Sequence, residues 1–122
     1  MSYRYLNNNS KGNFQNDCTI RAIATATGES WDYVYDHMSE IAKKSGVMMD
    51  YAPFIVDFLS SQFEMIPIDY QASVGEIADE FEDNIVLITM EGHITCSKYG
   101  IIYDSFDPRN RLAEYVWIVS RD

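Results

Sequence analysis

The sequence predicts an α+β domain in which N-terminal helices pack on a C-terminal antiparallel β-sheet. Apolar residues recur at helical spacing from Cys18 to Phe81, and from Asn84 onward the texture turns β-branched, aromatic and alternating. A third observation sets the scale: 122 residues with 47% apolar and 14% aromatic content suffice for one hydrophobic core. No internal repeat or linker divides the chain, so residues 1–122 are expected to form a single domain.

Residues 1–16 are polar and rich in Asn, Ser and Gly, and read as an extended lead-in without a helix or strand of its own. The first helix is predicted from Cys18 to Thr27, with Asp17 as its cap and Gly28 as its stop. Ala22, Ala24 and Ala26 make it thin enough to be approached closely on several sides. Ser30 caps a second helix running to Ser45, whose stripe is Trp31, Val34, Tyr35, Met38, Ile41 and Ala42, and Gly46 ends it. A third opens after Asp50 with Pro53 in its first turn and buries Phe54, Ile55, Phe58 and Leu59. A short extended piece follows around Met65 to Ile68, and Ser73-Val74-Gly75-Glu76 is a capping box that starts a short helix through Phe81.

Four strands are expected after that: Ile85 to Met90, His93 to Lys98, Ile101 to Phe106 and Glu114 to Val119, joined as an antiparallel meander. Turn signals at Glu91-Gly92, Tyr99-Gly100 and Asp107-Pro108-Arg109-Asn110 separate them.

The net charge of −10 is the wrong sign for gripping phosphate backbones or anionic lipid, so neither nucleic acid nor membrane is an expected partner. The longest mainly apolar stretch, Ile85 to Met90, is far shorter than the roughly 20 residues a membrane helix needs. The N-terminus also lacks a secretory apolar core, so a cytoplasmic location is expected, where both Cys18 and Cys96 stay as thiols.

Three residues carry the candidate chemistry: Cys18 at a helix start, His93 at a strand start and Asp104 late in the next strand. If the hairpin turns at Tyr99-Gly100, Lys98 faces Ile101, and Thr95 then lies opposite Asp104 with His93 as its diagonal neighbour on the same face. Strand alternation sends Cys96 to the other face. A helix dipole and an adjacent imidazolium both favour a thiolate, a carboxylate orients the imidazole, and the set suits thiol acyl transfer. The Cys18 backbone N–H is one oxyanion donor, and the side-chain amides of Gln15, Asn13 and Asn16 are candidates for the other.

The stretch Asn16-Asp17-Cys18-Thr19-Ile20-Arg21-Ala22-Ile23, with Gly92-His93-Ile94-Thr95 and Tyr103-Asp104-Ser105-Phe106-Asp107, resembles the papain-like cysteine peptidase superfamily. It is most similar to small bacterial and phage members, including those related to bacteriocin-processing peptidases. The resemblance implies a papain-like fold, with Cys18 as nucleophile, His93 as general base and acid, and Asp104 as orienting residue. It implies cleavage of a peptide or isopeptide amide in a protein or peptide substrate, without a cofactor. Where papain-like enzymes carry an oxyanion glutamine, Gly12 stands in this chain.

Two other functions are weighed against hydrolysis: an inactive papain-fold binding or inhibitory module, and a transglutaminase-like acyltransferase. Zinc binding is disfavoured, because Cys18, His37, His93 and Cys96 contain no usable close ligand pair. His37, off the apolar stripe of its helix, is expected in solvent; Tyr3, Tyr5, Trp31 and Tyr33 are candidates to wall a peptide groove. The acids Asp79, Glu80, Glu82 and Asp83 read as a solvated face.

Overall fold

The computed structural model describes residues 2–12 and 17–119. Within them the chain forms β1 (Ser2–Tyr5), α1 (Cys18–Thr27), α2 (Trp31–Ser45), α3 (Ala52–Gln62), β2 (Glu64–Ile66), α4 (Val74–Glu80), β3 (Ile85–Met90), β4 (His93–Lys98), β5 (Ile101–Asp104) and β6 (Tyr115–Ile118). The α+β class is as expected, and the strands join in one six-stranded sheet in the order β1-β5-β4-β3-β6-β2.

Helix limits follow local chemistry. Gly28 and Gly46 end α1 and α2 with φ of 77° and 73°, the left-handed conformation that glycine adopts without steric cost. Ser30 caps α2 by accepting from the Tyr33 N–H. The capping box at α4 is complete, with the Ser73 hydroxyl accepting from Glu76 N–H at 3.1 Å and Glu76 Oε1 accepting from Ser73 N–H at 2.8 Å.

The sheet is covered on both faces. Leu87, Ile94, Cys96 and Trp117 join residues of α1, α2 and α3 in one core cluster. Val86, Ile88, Met90, Ile102 and Val116 join Val74, Ile77 and Ala78 of α4 in the other. Two-sided burial explains why β3 reads as a nearly continuous apolar run.

Two expectations are corrected. The lead-in is not structureless, because Ser2–Tyr5 pairs in parallel with β5, Tyr5 opposite Asp104, and so supplies the hydrogen-bond partners that the outer edge of β5 needs. The sheet is therefore mixed. The last strands are not a simple meander either: β1 occupies the edge that a meander would give β6, and β6 crosses to pair with β3. The crossing segment is held against the start of α4 by Val74 N–H to the Arg111 carbonyl and Gly75 N–H to the Arg109 carbonyl. The strand over 101–106 ends at Asp104, and β6 is one residue shorter at each end than expected.

No helix among the described residues is long and apolar enough to cross a membrane. Replacing Ser73 by Ala removes one half of a capping box remote from Cys18. The expected loss is about 1 kcal/mol of stability in urea unfolding, with the alkylation rate of Cys18 unchanged.

Candidate functional site

Cys18 is the first residue of α1, where unpaired backbone N–H groups and the helix dipole favour a negative charge. It is half-buried, and its interactions with His93 and with the backbone of Ile94 both act to lower its pKa. The second contact follows from the sheet. The N–H of Ile94 faces the β5 side of β4, but the last β4–β5 pair is Cys96 with Tyr103, so past it this donor is open to the thiol.

The hairpin register is the expected one, with Lys98 opposite Ile101, and it brings His93 to Asp104. His93 Nε2 lies 2.7 Å from Asp104 Oδ2, which assigns the proton to Nε2 and leaves Nδ1 for the thiol. Phe106 packs on the imidazole with ring centroids 4.6 Å apart. Asp104 is 4% exposed, and its Oδ1 accepts from the Ser105 backbone N–H at 2.7 Å. Its carbonyl accepts from Leu6 N–H and the Tyr3 hydroxyl, so β1 fixes the backbone under the carboxylate.

These contacts set the charges. Burial alone would raise the pKa of Cys18, but the hydrogen bond and positive charge of His93, the Ile94 N–H and the Arg21 charge together hold it below the ordinary thiol value. Burial opposes protonation of His93, yet hydrogen bonds to Asp104 and Cys18 push its pKa up to about 9. Asp104 is likewise penalised by burial and held below the usual carboxylate range chiefly by His93. The same contacts lower the pKa of Cys18 and raise that of His93, so each charged form favours the other. Cys96, fully buried under α1, is pushed up to about 12 by desolvation and has no comparable activation.

Asp17 stands at the cap position of α1 but is used differently from the expected cap. Its side chain does not cap α1. One carboxylate oxygen accepts from Arg21 Nε at 2.8 Å, and the other accepts from Trp31 Nε1 at 2.8 Å and Asn9 Nδ2 at 3.1 Å. Arg21 was missed, although an arginine four residues after Asp17 in a helix of small apolar residues is itself a signal for a buried ion pair.

Cys18 and His93 open on a cleft of about 1130 Å³ walled by Trp31, Tyr35, Met38, Met49, Ile55 and Tyr115. Of the aromatic residues expected to wall a groove, Trp31 does so; Tyr3 and Tyr5 sit on the far edge strand and Tyr33 is not part of the lining. His37 is not free in solvent: it is half-buried, stacked on Tyr33 and edge-on to Phe58 at 5.7 Å. Among the described residues, no group of three or more His, Cys, Asp and Glu is arranged to hold a metal. Asn13, Gln15 and Asn16 lie outside the described residues.

The chain matches no family model, no curated protein and no solved structure.

Removing the thiolate removes one of the anions that stabilise the imidazolium, while Asp104 remains. In an NMR titration, His93 is expected to show a midpoint of about 9 in the parent protein. In Cys18→Ala the midpoint falls but stays above the ordinary histidine value of 6.5. A parent midpoint at or below 6.5 contradicts the geometry.

Proposed function

We propose that the protein is a thiol hydrolase of papain-like architecture that cleaves a peptide or isopeptide amide bond. The observation that carries this reading is the Cys18 thiol at a helix N-terminus, coupled to an imidazole whose Nε2 lies 2.7 Å from a buried carboxylate. The opening of that thiol into a large, mostly apolar cleft supports it.

In the reaction, the Cys18 thiolate attacks the carbonyl carbon, and the negative charge moves to the carbonyl oxygen, where the Cys18 backbone N–H donates to it. His93 passes its Nδ1 proton to the departing amine as the C–N bond breaks, leaving a thioester on Cys18. Water then gives a proton to His93 and attacks the thioester. The carboxylic acid leaves, and the proton returns the pair to its starting state. Asp104 accepts the Nε2–H throughout and keeps Nδ1 directed at the thiol. The net charge of −10 favours basic or neutral substrate segments over acidic ones. The substrate is then a protein or peptide, and the location a cytoplasmic one.

Incubation with p-nitrophenyl acetate should leave an acetyl group on Cys18 and none on Cys96, detected by peptide mass spectrometry. A proteome-derived peptide mixture should be cleaved by the parent chain, not by Cys18→Ala. His93→Ala should be slower by about 10²–10⁴-fold. Turnover that persists in Cys18→Ala overturns the reading. An acetylated Cys18 with no peptide cleavage, but with transfer to an added amine, points to acyl transfer instead.

A further inference from the structure

We propose that Arg21 is a positioning residue, whose guanidinium clamps the helix bearing Cys18 to the strand end bearing Asp104 and turns Asp104 Oδ2 toward His93. The inference rests on the thiol chemistry proposed above and extends it to a residue that touches neither substrate nor thiol.

Arg21 and Cys18 are one turn apart on α1, so a bond from Arg21 to another element fixes where that turn lies. The Arg21 side chain is 12% exposed and reaches acceptors on both sides of the site. Nε donates to Asp17 Oδ1 at 2.8 Å, while Nη1 donates to Ser105 Oγ at 3.1 Å and lies 3.4 Å from Asp104 Oδ1. Asp104 is thereby divided: Oδ1 is occupied by Arg21 and the Ser105 N–H, and Oδ2 is left to the imidazole.

A lysine carries the same charge but not the planar fork that lets one side chain hold separated acceptors. Arg21 is also the fixed cation that pairs with two buried carboxylates, Asp17 and Asp104, the second of which also pairs with His93. Among the described residues, the charged and titratable groups around this site include Asp17 before α1, Cys18 and Arg21 on α1, His93 and Cys96 on β4, Tyr103 and Asp104 on β5 and Tyr3 on β1.

The test is the pH profile of iodoacetamide labelling at Cys18, resolved from Cys96 by peptide mass spectrometry, in the parent, Arg21→Lys and Arg21→Gln. Because Arg21→Gln strands the buried Asp17 carboxylate, it is also made together with Asp17→Asn. Only proteins with a cooperative melting transition are compared. In the glutamine variants the acid limb should move up by about one pH unit, the scale on which a close cation acts on such a pair. Arg21→Lys should fall between them and the parent. If the glutamine variants unfold, Arg21→Lys decides. A folded glutamine variant, or Arg21→Lys, whose profile superimposes on the parent overturns the proposal. The parent profile by itself tests the thiol chemistry, and the difference between variant and parent tests Arg21, so the two failures are distinguishable.

Discussion

The buried Asp104 carboxylate is the point on which the site depends. A carboxylate removed from water is costly unless its oxygens are paired, and here every pairing ties down a different part of the chain. Oδ2 meets His93 on β4, Oδ1 meets the Ser105 N–H and Arg21 on α1, and the carbonyl of the same residue receives Leu6 and Tyr3 from the N-terminal segment. The carboxylate therefore aligns the imidazole and the thiol-bearing helix, and the main-chain carbonyl of the same residue adds the N-terminal segment.

The rest of the fold supplies the rigidity this alignment needs. Layers on both faces of the sheet bury β3 and β4, and the tight Tyr99-Gly100 turn, with φ of 52° and 84°, pins their register to β5. Past the last β4–β5 pair the two strands no longer pair with each other, and the donors and side chains released there converge on the start of α1. A chain with an overall charge of −10 thus builds a local site in which His93 and Arg21 both act to lower the pKa of the Cys18 thiol. Net charge and site charge are separate quantities, because the first acts through screened solvent and the second through a few ångströms of protein.

Much of this was legible in the residues because the causes are local. Gly28, Gly46 and the Ser73-Glu76 box mark helix ends through backbone conformation and capping, and the two-residue turn sets a register that brings His93 to Asp104. What escaped depends on partners far along the chain. Ser2–Tyr5 becomes a strand only because β5 offers an edge, and nothing in Ser2-Tyr3-Arg4-Tyr5 names that partner. Asp17 has the right residue type for a cap, but the indole of Trp31, Asn9 and Arg21 compete for its oxygens and win. His37 lies off the stripe of its own helix yet is half-buried because Phe58 of α3 reaches it.

The claim that Cys18 and His93 form an ion pair is tested most directly by the ultraviolet absorbance of the thiolate. It would be followed across pH as the difference between the parent protein and Cys18→Ala. The account predicts ionisation of Cys18 well below the ordinary thiol value of ~8.5, lost when His93 is replaced by Ala. A Cys18 that ionises at or above that value, or one indifferent to His93→Ala, would contradict it.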